Sequence, residues 1–264
     1  MSVAGLMIEL VDVRLDHPRG GEPLVSEANL KVSRGEIVMI VAASGLGTSR
    51  LVAAAVGEAP ASAGRIEVMG RDLTKLRRAS LRLLRRRVGI VPQDLCLLDD
   101  RSAQLNVALP LEIDGLPRSM TIARATDVLA ELGLVSEASL PIDCLTPAER
   151  QRVAVARALV REPELVIADH PTSLQDATGT SLVVGALAGA GERGAAVIVL
   201  GHDPALVDMA AMRGWRQLVL SSGRLRPVND VDLSIRSFED ERTDEHDIPN
   251  IVPFPLSART AGVA

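Results

Sequence analysis

Val41-Ala-Ala-Ser-Gly-Leu-Gly-Thr-Ser-Arg-Leu51 is a glycine-bearing turn between an apolar run and a helix-forming run. The run before it, Glu36-Ile-Val-Met-Ile-Val41, is continuous and β-branched, as a parallel strand buried on both faces should be. The run after it, Leu51-Val-Ala-Ala-Ala-Val56, suits a helix packed on a sheet. A strand, a Gly-rich turn and a helix N-terminus together make an anion site, because unpaired N–H groups and the helix dipole converge there. The candidate residues for holding that anion are Ser44, Gly45, Gly47, Thr48, Ser49 and Arg50.

The phosphate-loop pattern G-x-x-x-x-G-K-[ST] is met only in part. Ala42 stands at the first Gly, Gly47 at the second, Thr48 where the Lys belongs, and Ser49 at the Mg²⁺-ligand position. The lysine ammonium neutralises charge on the β- and γ-phosphates, whereas a threonine hydroxyl offers a neutral hydrogen bond. Arg50 lies two residues further on, about 200° around a helix axis, so its side chain should leave from the far side. Taken alone, the turn also fits a plain tight connection between strand and helix. The rest of the chain decides.

At 264 residues and 47% hydrophobic, the chain can bury a full core, as one large α/β domain or a domain with a subdomain. Trp215, Phe238 and Phe254 are its only benzenoid aromatics, so that core must be aliphatic. Cys96 and Cys144 have neither metal nor redox spacing and are expected as buried thiols. No signal-peptide pattern or membrane-length apolar run is present, which predicts a cytosolic protein docked on a membrane partner at most. The net charge of −5 equals that of residues 238–247 alone (FEDERTDEHD), so the other 254 residues sum to zero. Nucleic acid is therefore not expected as a partner. The one basic stretch, residues 71–87, sets eight Lys/Arg against one Asp and reads as a solvated helix face, or a contact for lipid headgroups or another subunit.

Residues 7–15 alternate like a strand, and residues 24–33 and 62–70 are further strand candidates. The short run Val88-Gly-Ile-Val-Pro-Gln-Asp94 is a buried strand ending in polar residues. From about 95 to 160 the pattern turns helical, with an i, i+3, i+4 stripe at Ile122, Ala125, Val128, Leu129 and Leu132. A helix over 145–160 opens on Thr146 as N-cap, Pro147 at the first position and Glu149 in the first turn. Strand patterns return at 164–169 and 195–202 around a helix through 181–190, and 217–225 reads as a closing hairpin. Strands, a helical stretch, then strands again predict a helical subdomain inserted in an α/β core. The chain thus divides into residues 1–226, with the helical insert at about 95–160, and a tail at 227–264. The tail lacks periodicity and reads as disordered or as an extended segment that binds another protein.

In this order the motifs resemble the nucleotide-binding subunit of an ATP-binding-cassette (ABC) transporter over residues 6–225. Arg86-Arg-Val-Gly-Ile-Val-Pro-Gln-Asp94, Leu97-Leu-Asp-Asp100 and Asn106-Val-Ala-Leu-Pro110 are similar to the lipoprotein-release and cell-division ATPase branch. The resemblance implies a P-loop NTPase core, a mixed sheet with flanking helices, an inserted helical subdomain and N-terminal antiparallel strands. It implies ATP and Mg²⁺ as cofactors, with Ser49, Gln93 and Asp169 at the metal. It further implies Gln93 as the glutamine coupling to the permease, His202 as the switch histidine at the γ-phosphate, and a D-loop at Ser173-Leu-Gln-Asp176 with Gln175 where Leu is usual. The partners implied are a membrane permease and a second ABC ATPase subunit, at the cytoplasmic face of the inner membrane.

Other landmarks are lost, and at the chemistry. The signature Leu-Ser-Gly-Gly-Gln/Glu reads Leu145-Thr146-Pro147-Ala148-Glu149. Pro147 removes an N–H donor and Ala148 adds a Cβ where glycines let the backbone close on phosphate. The catalytic Glu expected after Asp169 is His170, a neutral imidazole in place of a carboxylate. Only His17 stands where an adenine-stacking aromatic belongs. Positioning and charge stabilisation supply nearly all of phosphoryl-transfer catalysis, so these losses point to a pseudo-ATPase. Three readings remain: a non-catalytic subunit, alone or paired with an active one; a divergent working ATPase; and an interaction protein using the fold and the acidic tail.

Overall fold

The computed structural model describes residues 5–17, 19–42 and 47–228. Two sheets carry the fold. In the first, β1 (Leu6–Leu15) pairs antiparallel with β2 (Val25–Ser33) and β4 (Ala63–Val68), and the two-residue β5 (Arg71–Asp72) closes the order β2-β1-β4-β5. One side of this sheet is wet, so β2 alternates between buried and exposed residues. The second sheet is built from β3 (Ile37–Val41), β6 (Val88–Val91), β7 (Leu165–Asp169), β8 (Ala196–Gly201), β9 (Arg216–Ser221) and β10 (Arg224–Pro227), in the order β10-β9-β3-β8-β7-β6. Its strands run parallel except β10, which returns antiparallel on β9 as the expected hairpin. β7 and β8 are buried at every residue, which is why their sequences run apolar without alternation.

Helix α1 (Thr48–Ala55) follows β3, and α2 (Arg78–Arg85) leads into β6. Then α3 (Ala103–Ile113), α4 (Arg118–Glu131) and α5 (Pro147–Leu159) pack on one another before β7. Finally α6 (Ala177–Glu192) and α7 (Pro204–Met212) alternate with β7, β8 and β9. The main core lies between the two sheets and α1, where Ile8, Leu10, Leu30, Ile40, Val52, Ile167, Ile198 and Leu200 meet. It is wholly aliphatic, as the composition requires.

Several sequence expectations change. The basic stretch is not one helix: Asp72 accepts a hydrogen bond from Thr74 N, which sets a short 3₁₀ turn over Leu73–Lys75, and Leu76 and Arg77 are extended before α2 begins. The helical stretch from 95 breaks at Gly115, whose φ of +82° ends α3, and restarts after Pro117. Helix α7 was not read from the sequence, although Asp203 caps it and Pro204 opens it. Both cysteines are exposed, against the expectation of burial. Cys96 sits in a loop at φ +47°, among residues that are themselves half-buried or exposed, and Cys144 ends a 3₁₀ turn one residue before the buried Leu145. The acidic stretch, Phe238, Phe254 and almost all of the tail from 227 lie outside the described residues.

Candidate nucleotide site

Parallel pairing brings the carboxyl ends of β3, β8, β7 and β6 to one edge: Val41 lies against Gly201, Asp169 against Leu200, and Val91 against Ala168. Open α/β sheets bind ligands at such an edge. Ser49 at the start of α1, Gln93 after β6, Asp169 ending β7 and His202 after β8 therefore gather there, although they span 153 positions of the sequence.

Ser49 Oγ lies 2.7 Å from Asp169 Oδ2 and 3.3 Å from Gln93 Oε1. A hydroxyl has one proton, and the shorter approach to the carboxylate takes it. The other carboxylate oxygen, Oδ1, lies 2.8 Å from His170 Nδ1 and can only accept, so a neutral ring would carry its proton on Nδ1. His170 Nε2 is then left with a lone pair, buried and without a hydrogen-bond partner among the described residues. Asp169 and His170 are 2% and 4% exposed, so this pair lies inside the protein and not on its rim. The His202 ring meets that of His170 edge-on, with centroids 5.4 Å apart.

His170 takes a left-handed φ of +51°, uncommon for a residue with a Cβ. Its backbone is held from both sides. His170 N donates to Leu200 O at 2.8 Å, and its carbonyl accepts from Gln151 Nε2 at 2.9 Å and Ser173 Oγ at 3.1 Å. Gln151 Oε1 accepts in turn from Leu174 N and from Gln175 Nε2. Gln175 Nε2 also reaches Ala148 O at 2.8 Å, and Arg152 donates to Gln175 Oε1. This amide lattice joins the first turns of α5 to the loop after β7. Gln151 and Gln175 are the residues sequence reading passed over as site members; the one signal was a polar Gln175 at a position the resembled family fills with Leu.

At α1, Gly47 is the N-cap with φ +87°, and a Cβ there would come within 2.7 Å of Leu24 Cβ. Thr48 is buried. Arg50 is half-buried on the same helix, and its Nε has no hydrogen-bond partner among the described residues. Ser44 and Gly45 lie outside the described residues. At α5 the cap reads as the sequence foretold: Thr146 Oγ1 accepts from Glu149 N, Glu149 Oε2 accepts from Thr146 N, and Pro147 is the first helical residue. Arg150 closes the approach by donating to the carbonyls of Leu145 and Asp143.

Residues 25–173, more than half of the chain, match the family model for the ABC transporter. The chain belongs to the ABC transporter ATP-binding family. It is 34% identical over 220 residues to the methionine import ATP-binding protein MetN of Caulobacter vibrioides, covering 83% of this chain and 65% of that one. The Rhizobium etli MetN is 33% identical, covering 83% and 60%. The ABC chain thus spans roughly three-fifths of the length of these curated relatives. Among solved structures, the dimeric bacterial ABC transporter cassette MJ0796 superposes with a TM-score of 0.76 at 28% identity, covering 83% of this chain and 97% of that one. The cbiO1 protein of Clostridium perfringens, part of the cbiONQ transporter complex, follows at 0.71 and 25%, covering 84% and 87%. None of these carries the name of a lipoprotein-release or cell-division ATPase.

ABC cassettes as a family bind ATP with Mg²⁺. In this ABC chain the Ser49 hydroxyl, the Asp169 carboxylate and the Gln93 amide oxygen form a convergent set of hard oxygen donors, which suits Mg²⁺. The phosphate side fits less well, because Thr48 is neutral and buried where a cation would meet the triphosphate. Both thiol pKa values are raised, that of Cys96 chiefly by its 2.9 Å hydrogen bond to Asp94 Oδ1 and that of Cys144 by the neighbouring Asp143 carboxylate.

Proposed function

We propose that the chain is a non-hydrolysing ABC subunit of a membrane transporter, one that holds nucleotide weakly or not at all and pairs with a second cassette. The observation that carries this reading is the state of Asp169. Both its oxygens are engaged by the protein's own donors, Ser49 and His170, and the residue that follows it offers no carboxylate to activate water. Bound Mg²⁺ would be held by Ser49, Gln93 and Asp169 and would neutralise phosphate charge, but it must first compete with the 2.7 Å Ser49–Asp169 bond. Loss of one preorganised group in such a site costs about 10²–10³ in rate. Here Thr48, His170 and Pro147 each replace one. Import cassettes among the relatives support placing the subunit on the cytoplasmic face of the inner membrane, docked on a permease through the Gln93 loop and the α3–α4 helices.

Calorimetric titration of ATP and ADP, with Mg²⁺, into the purified chain tests this. Binding no tighter than about millimolar, roughly 4 kcal/mol, is expected, and Ser49→Ala should abolish what binding there is. Micromolar binding indifferent to Ser49→Ala would overturn the reading.

A second reading rests on one feature. His170 has Nδ1 fixed on a carboxylate and Nε2 without a partner among the described residues, the arrangement by which an imidazole is oriented as a general base. On that reading the chain is a divergent working ATPase, with His170 as base and His202 beside the transferred phosphate. Turnover that disappears in His170→Ala would establish it.

A further inference from the structure

Helix α2 presents a face that the nucleotide site does not use. Its inner side is committed to structure: Leu84 is buried, and Arg85 donates to the carbonyls of Val56 and Gly57 at 2.8 and 2.7 Å, seating α2 against the end of α1. Just after the helix, Arg87 forms a two-pronged pair with Glu164 at 2.6 and 2.7 Å. Arg77, Arg78 and Arg82 are different. All three are exposed, and none has an ion pair or a side-chain hydrogen bond among the described residues. Arg78 and Arg82 lie one turn apart on the helix, and Leu83 beside Arg82 leaves 60% of its surface in water.

Three unpaired guanidinium groups and an exposed leucine, all on the solvent side of α2, fit an anionic surface with an apolar layer just beneath it. Phosphate headgroups take the guanidinium forks, and the leucine reaches the acyl boundary. The charge is also local: residues 71–87 carry a net +7 in a chain whose total is −5. We propose that the exposed face of α2, formed by Arg77, Arg78, Arg82 and Leu83, binds the anionic lipid headgroups of a membrane. Each basic residue near such a surface is worth about five-fold in affinity, so three supply about 100-fold. That strength orients a subunit already held by a membrane partner; it does not anchor one alone. The proposal holds whether or not the nucleotide site turns over.

Flotation of the full chain with vesicles tests it, using phosphatidylcholine alone and phosphatidylcholine with one-third phosphatidylglycerol. Binding should favour the anionic vesicles about 100-fold and fade as salt screens the charges. The Arg77→Glu/Arg78→Glu/Arg82→Glu variant should fall about 100-fold, to the level of the neutral vesicles. Arg77→Gln/Arg78→Gln/Arg82→Gln should fall nearly as far and serves if the reversed charges disturb folding, with circular dichroism as the check. Leu83→Ser should weaken binding several-fold while leaving its salt dependence in place. Equal binding to both vesicles, or an unchanged Gln variant, overturns the proposal. So does polyglutamate binding as tightly as the anionic vesicles with the same dependence on the three arginines, because the face would then read acidic protein.

Discussion

His170 is where this chain's chemistry turns. In a buried setting a carboxylate needs donors for both oxygens, and Asp169 finds them in Ser49 and the His170 ring. Removing the ring leaves Oδ1 unpaired, and an unsatisfied buried acceptor costs about 1–3 kcal/mol. His170→Ala should therefore lower the free energy of urea unfolding by about that amount, although the substitution deletes no large apolar surface. A change below about 0.5 kcal/mol would mean the ring is a bystander to Asp169. On the proposed reading this single residue stands in for a base while it completes the hydrogen bonding of Asp169 beside it.

Among the elements, α5 turns an altered motif into a stable helix start. Thr146, Pro147 and Glu149 form a reciprocal cap, and Gln175 ties Ala148 to the loop after β7. Thr146→Ala should cost about 0.5–2 kcal/mol in thermal or urea unfolding. The link between β6 and β7 carries a pH signature. Arg87 holds the Glu164 carboxyl below its ordinary range, chiefly through their hydrogen bonds. Because the folded value is depressed, this contribution is whole above the unfolded pKa, near 4.5, and is lost as pH falls through the folded value. The pair is partly exposed, so Glu164→Gln should flatten the acid limb of stability against pH by at most about 1 kcal/mol.

The strands of these elements were legible because β7 and β8 are unbroken apolar runs that only a doubly covered strand requires. Ser49, Gln93, Asp169, His170 and His202 could be placed because each falls at a strand end or a helix start. The amide lattice of Gln151 and Gln175 could not, since it depends on the left-handed turn at His170 and on two segments about twenty residues apart closing together. The split of the basic stretch was hidden likewise. Asp72 capping a 3₁₀ turn outweighs the helix propensity of the arginines and leucines that follow.

At the scale of the whole molecule, the parallel sheet, the packed helices α3–α5 and the antiparallel sheet build the family scaffold, and on the proposed function its site keeps the metal donors Ser49, Gln93 and Asp169 while the phosphate and base positions change at Thr48 and His170. Scaffold without turnover is the central claim, and steady-state phosphate release by the purified full chain at saturating Mg²⁺-ATP tests it most directly. On that claim, release should be indistinguishable from that of Asp169→Asn. Release that exceeds this background and falls about 100-fold or more in His170→Ala would contradict the claim, and would make the imidazole the base of a working ATPase.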